Sequence, residues 1–131
     1  MLAGEMLRRS AQRFPDKDAI VWGEVRMRYD ALDAAANRLA HALRELAPLR
    51  GAKIGIICRN RPEYGVAFFS AARSCAVLVN VSVLYSPAEL GYVLDKADIE
   101  ILIVEHPFAD KVAGRPETEP DVAIDERDAF S

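Results

Sequence analysis

Met6, Leu7, Ala11 and Phe14 recur at helical spacing, with Arg8, Arg9, Gln12 and Arg13 between them, so the pattern predicts a helix over 2–14. Phe14-Pro15-Asp16 stops it, because the residue before a proline is pushed out of the α region. Ala19–Trp22 then reads as a short strand, Gly23-Glu24 as a turn, and Val25–Tyr29 as a return strand with Val25, Met27 and Tyr29 on one face. Asp30 has the chemistry of an N-cap, and Asp33 adds favourable charge to the same first turn. Leu32, Ala36, Leu39, Leu43 and Leu46 follow as one apolar stripe, predicting a helix that ends before Pro48.

From Lys53 the pattern changes. "KIGIIC" (53–58) is a short, nearly continuous apolar run, the kind found in strands buried on both faces of a parallel sheet. Pro62 suits a helix's first turn, where its missing N–H costs nothing. Tyr64–Ala72 is apolar nearly all round, which predicts a deeply packed helix over 62–73. "AVLVNV" (76–81) is the next strand. Ser86-Pro87-Ala88-Glu89 has the form of a capping box with proline at the first helical position, and Leu90, Val93, Leu94 and Ala97 continue the helical period over 86–97. Ile101–Val104 is a third buried strand. Strand, helix, strand, helix, strand predicts stacked βαβ crossovers, hence the α/β class: a parallel sheet with helices on both faces and a small hairpin before it. In the tail, 106–131, Pro107–Val112 predicts a short helix, 114–120 a loop and Val122–Ile124 one more strand. Ending just past such a strand, the chain is expected to be cut inside a larger sheet.

Length and composition change this picture little. The chain has 131 residues, 51% of them apolar and 28% charged, with a net charge of −3. That is one globular domain's worth of chain, without the basic excess of a nucleic-acid binder. The first residues lack the continuous apolar stretch of a secretory signal, and no run approaches a membrane span, so a cytoplasmic location is expected.

Candidate chemistry is sparse. Cys58 and Cys75 lack metal-ligand spacing and read as reduced, partly buried thiols beside strands. His41 and His106 lie outside any H-x-x-x-H or H-E-x-x-H pattern and read as surface residues. Asp16 and Asp18 sit in a turn and read as solvated rather than as an acid–base pair. Arg59-Asn60-Arg61 stands at the mouth of a strand, where open α/β sheets bind ligands; it reads either as an anion site or as helix initiation and loop hydrogen bonding. No phosphate loop, G-x-G-x-x-G or G-x-S-x-G motif is present.

Several landmarks occur in order: Phe14-Pro15-Asp16-Lys17, the stretch Tyr29–Leu32, Asn37-Arg38-Leu39-Ala40, Asn60-Arg61-Pro62-Glu63, and "AVLVNVSVLYSPAEL" before the last buried strand. Together, over about residues 5–105, they resemble the N-terminal part of the AMP-forming acyl-CoA synthetases of the adenylate-forming, AMP-binding superfamily. The resemblance implies that 1–131 is the N-terminal part of the large adenylate-forming domain, within the acetyl-CoA synthetase-like fold. The parent would activate a carboxylic, fatty, acid with ATP and Mg²⁺ and transfer the acyl group to CoA. The family's phosphate loop, adenine-binding segment, ribose-binding acid and catalytic lysine lie downstream of the matched region. No catalytic, cofactor-binding or metal-binding residue is therefore carried over, and the isolated chain is expected to be inactive. The sequence departs from the family at Cys75, where glycine is common, and at Asn80-Val81-Ser82-Val83, where many fatty-acyl members read Asn-x-Asn-Pro. "LYSPAEL" leans toward medium- or long-chain acids.

Three readings follow. The chain is a scaffold piece of an acid–CoA ligase, whether a shortened piece, a truncated gene product or a proteolytic remnant; a free-standing, non-catalytic module that binds the partner chain of a split ligase; or an unrelated doubly wound nucleotide-binding domain. Self-association through the cut surface is expected in the first case.

Overall fold

The computed structural model describes residues 3–47, 51–112 and 122–124. Helix α1 (Ala3–Arg13) leads into a hairpin of β1 (Asp18–Trp22) and β2 (Val25–Arg28), then α2 (Tyr29–Leu46). The alternating part follows: β3 (Lys53–Ile57), α3 (Pro62–Arg73), β4 (Val77–Asn80), α4 (Pro87–Lys96) and β5 (Ile101–Glu105). A 3₁₀ turn (His106–Lys111) and β6 (Val122–Ile124) complete it.

The hairpin is antiparallel, with Trp22 opposite Val25. Gly23 has φ +60°, the left-handed backbone that such a two-residue loop demands and that glycine adopts without a steric penalty. Of the face expected to be inward, Met27 is buried, Val25 is exposed, and Tyr29 already belongs to α2. The remaining strands form one parallel sheet in the order β4-β3-β5-β6, with β3 paired to both β4 and β5. The βαβ prediction holds, and the expected tail strand lies beside β5.

Alternation along the central strands divides the core. Ile54, Ile56, Ile101 and Ile103 face α1, α2 and α3, meeting Leu7, Leu32, Leu39, Leu43 and Val66. Ile57, Leu102 and Val104 face the opposite way, onto Leu90 and Leu94 of α4. Helices thus cover both faces, and a one-residue slip of either strand would exchange the two sets. The hairpin is held to the main body by close approach: a Cβ at Gly65 of α3 would come within 2.7 Å of Ile20 Cδ1, so only glycine admits Ile20 there without a shift.

Two helix ends differ from the sequence expectation. Asp30 is not an N-cap; α2 starts at Tyr29, with Arg28 as the cap residue and no side-chain cap bond. The reason lies in the preceding turn. Lys17 and Pro15 carbonyls accept from the N–H groups of Tyr29 (2.9 Å) and Asp30 (3.3 Å), satisfying two orphan donors of the first turn, while Asp30 Oδ1 accepts from the Ala31 N–H (2.8 Å) from inside the helix. Helix α3 is buried on one side only: Val66, Ala67, Ser70 and Ala71 are covered, but Phe68 is 48% exposed, so the helix is not packed all round as its composition implied. Val77 of the edge strand β4 is also exposed. The capping box at Ser86 forms as expected, with the Glu89 N–H donating to Ser86 Oγ and the Ser86 N–H to Glu89 Oε1.

Cys75 ends α3 in an unexpected way. It sits at φ +58°, while the Ala76 N–H donates to the Ala71 carbonyl (2.9 Å) and the Cys75 N–H to that of Ala72 (3.3 Å). This is a Schellman ending with cysteine in the left-handed position that usually takes glycine. The thiol is exposed, so of the two cysteines only Cys58 is buried.

Candidate functional site

In open α/β sheets a crevice forms beyond the carboxyl ends of the strands, where neighbouring connections run in opposite directions. Here that switch point lies between β3 and β5, since β3 connects outward to β4 and the chain then returns to the other side. Arg59, just after β3, and Glu105, the last residue of β5, meet there.

Glu105 is fully buried, a position a carboxylate rarely takes unpaired. It accepts from the Arg59 backbone N–H (2.8 Å), from Arg59 Nε (3.0 Å to Oε2) and Nη2 (2.5 Å), and from Arg61 Nη1 (2.9 Å). Arg61 turns its other edge to Glu63 in a two-pronged contact, Nε to Oε2 at 2.7 Å and Nη2 to Oε1 at 2.9 Å. Glu63, in the first turn of α3, is itself buried and lies where a helix dipole favours negative charge. Burial alone would raise the Glu105 carboxyl; the hydrogen bonds from Arg59 and Arg61 outweigh it and hold the group at about 2. Its bond to Glu105 raises the Arg59 guanidinium above its ordinary value, and bonds to Glu63 first and Glu105 after it raise that of Arg61. Neighbouring Cys58 is pushed up to about 12, by burial first and by the Glu105 charge second, so its thiol stays protonated and unreactive at neutral pH.

Of the two readings of Arg59-Asn60-Arg61, the structure shows hydrogen bonding within the chain, with both arginines engaged by Glu105 and Glu63. Two arginines and two carboxylates cancel, and the switch-point crevice is filled by their own contacts. Sequence reading singled out the arginines but missed Glu63 and Glu105. The available signal was an acid closing an otherwise apolar strand, "ILIVE", and another opening an apolar helix.

Beside the knot, the mouths of β3 and β4 open into a cleft of about 480 Å³ lined by Cys58, Arg59, Asn60, Asn80, Ser82 and Tyr85 among others. Its polar groups other than Arg59 are neutral, so it offers hydrogen bonds rather than a charge cluster. Arg59 is half-exposed on this side, with the Phe108 ring 5.9 Å from its guanidinium carbon. The cleft contains no pairing of a nucleophile with a base.

The other candidates stay separate from it. Asp16 and Asp18 are exposed and pair with Arg28 and Arg26 beside the hairpin, as the solvated-turn reading expected. His41 and His106 are exposed on different elements. Among the described residues no group of His, Cys, Asp or Glu side chains is arranged to hold a metal ion, and no helix is long and apolar enough to cross a membrane.

Comparison with known proteins bears on the family and the fold. The family model for AMP-binding enzymes matches residues 7–130. Medium/long-chain-fatty-acid–CoA/3-oxocholest-4-en-26-oate–CoA ligases of Mycobacterium marinum and Mycobacterium tuberculosis are each 38% identical over 99 residues, covering 76% of this chain and 18% of theirs. The chain thus spans less than a fifth of the length of these curated relatives. Among solved structures, the inhibitor-bound N-terminal domain of FACL13 from Mycobacterium tuberculosis superposes with a TM-score of 0.81 at 27% identity, over 95% of this chain and 33% of that one.

Proposed function

The chain belongs to the AMP-binding enzyme family, and from that membership we propose that it is a scaffold portion, N-terminal in the parent, of an acid–CoA ligase working in the cytoplasm. The parent activates a carboxylic acid, a medium- or long-chain fatty acid by preference, with ATP and Mg²⁺ and passes the acyl group to CoA. The observation that carries this reading is the 38% identity to fatty-acid–CoA ligases over three-quarters of the chain. The self-neutralised switch point supports the scaffold role: the arginines nearest the strand mouths hold β3, α3 and β5 together rather than facing a phosphate.

Catalysis of acyl adenylation needs donors positioned around the phosphates, and among the described residues the arginines at the strand mouths are taken up by Glu105 and Glu63. We expect no pyrophosphate release when the purified chain is incubated with ATP, Mg²⁺ and a panel of carboxylic acids. The chain joined to the remaining segment of a fatty-acid–CoA ligase is expected to release pyrophosphate with medium- and long-chain acids. Activity of the chain alone, or no activity from the joined protein, overturns the reading.

A second reading, a module that binds a partner chain, is favoured by one feature. Strand β4 is an edge without a charged residue or proline to protect it, and Phe68 and Val77 beside it are about half exposed. Such an edge accepts another strand or apolar layer, either from the rest of a ligase or from a second copy. Light scattering over a concentration series reads that edge: self-association is expected, and a monomer at high micromolar concentration would mean that the sheet is self-contained.

A further inference from the structure

At the opposite end of the sheet from Glu105, helices α1, α2 and α3 converge on a concavity of about 260 Å³. Arg8, His41, Arg44 and Arg73 line it, with Glu5 the only carboxylate among its lining residues. We propose that this junction binds a phosphate-bearing small molecule through the guanidinium groups of Arg8 and Arg44.

The proposal rests on how those donors are committed. The carbonyls at the end of α3 have partners within the chain: Ser70 accepts from the Ser74 N–H, Ala71 from Ala76, Ala72 from Cys75, and Arg73 from Arg44 Nη2 at 2.6 Å. That last bond fixes the Arg44 guanidinium by one nitrogen and leaves its other donors free for a ligand. Arg73 is taken up by α2, through the Asp33 carbonyl (2.9 Å), Asn37 Oδ1 (2.7 Å) and the Asp33 carboxylate, and forms part of the wall. Arg8 is exposed on α1, and neither Arg8 nor Arg44 forms an ion pair among the described residues. With Arg73 offset by Asp33, the concavity carries Arg8 and Arg44 against Glu5. Planar guanidinium groups on α1 and α2, that of Arg44 pre-oriented by its bond to the Arg73 carbonyl, suit the several oxygens of a phosphate better than a single carboxylate. Ala40 and Ala72 supply an apolar wall for the group that bears it.

The test follows the backbone amide spectrum of the full 131-residue chain during titration with inorganic phosphate and with phenyl phosphate, against sodium chloride at matched ionic strength. Saturable shifts centred on residues 5–8, 37–44 and 72–75 are expected, with phenyl phosphate tighter than inorganic phosphate. Arg8→Gln, which breaks no bond within the described chain, is expected to weaken binding about tenfold, and Glu5→Gln to tighten it about twofold. Shifts reproduced by chloride, shifts elsewhere, or an affinity unchanged in Arg8→Gln overturn the proposal. Equal affinity for the two phosphates overturns the role of the apolar wall.

Discussion

Arginine gathers at both ends of the parallel sheet, with opposite consequences. At the carboxyl end, Arg59 and Arg61 meet Glu105 and Glu63, and every charge has a partner at hydrogen-bond distance. At the amino end, Arg44 spends one nitrogen on a carbonyl, Arg73 shares a single aspartate, and Arg8 has no ion pair among the described residues. The first cluster is a fastener and the second a receptor. What separates them is the number of carboxylates set against each arginine, two for two at one end and two for three at the other, which motif reading along the chain does not see.

The sharpest way to break this contrast is to remove the buried acid. Glu105→Ala leaves Arg61, only 8% exposed, with one carboxylate fewer, and should cost about 3–5 kcal/mol in denaturant unfolding. Acid should act on the same end. Glu105 sits at about 2 when folded and near 4.5 in the unfolded chain, so the unfolded state takes up its proton first as pH falls. Stability supplied by this group is complete above about pH 4.5 and lost toward pH 2, a change of roughly 3 kcal/mol. Unfolding measured from pH 6 to 2 should show that slope, and Glu105→Gln should flatten it. A variant whose slope is unchanged would mean that other carboxylates drive acid unfolding. The smallest effect belongs to the other end. Cys75→Gly relieves a left-handed cysteine and should raise stability by about 0.5–1 kcal/mol in thermal unfolding. Destabilisation there would show that the Cys75 side chain contributes more than its backbone angle costs.

Most of the fold was legible in the sequence because its signals are local. The apolar runs at 53–58 and 101–104 mark the central strands, and Ser86-Pro87-Ala88-Glu89 marks the start of α4 from four adjacent residues. Asp30 misled because its partners came from elsewhere: the carbonyls of Pro15 and Lys17 took over the capping task. Composition also overstated the burial of α3, since an apolar face says nothing about whether a second layer is present to cover it. Cys75 was noticed as a departure from glycine, but the reason, a positive φ, is a property of the backbone path. The fastener was half legible for the same kind of reason. Arg59 and Arg61 lie together in sequence, while Glu105 is brought to them only by the pairing of β5 with β3.

That separation gives the fastener a timetable. Arg59 leaves the ribosome 46 residues ahead of the carboxylate that will neutralise it, and Arg61 leads by 44. At ordinary elongation rates of about 5–20 residues per second, the interval is roughly 2–9 seconds. During it β3, α3 and β4 can already assemble, with Glu63 the nearby acid available to Arg61. A nascent chain halted before Ile101 would therefore display an uncompensated positive charge at the strand mouths, a ready foothold for an acidic chaperone surface or for ribosomal RNA. Arrival of β5 cancels that charge, so the last central strand to be synthesised also marks the moment at which β3 gains its second neighbour.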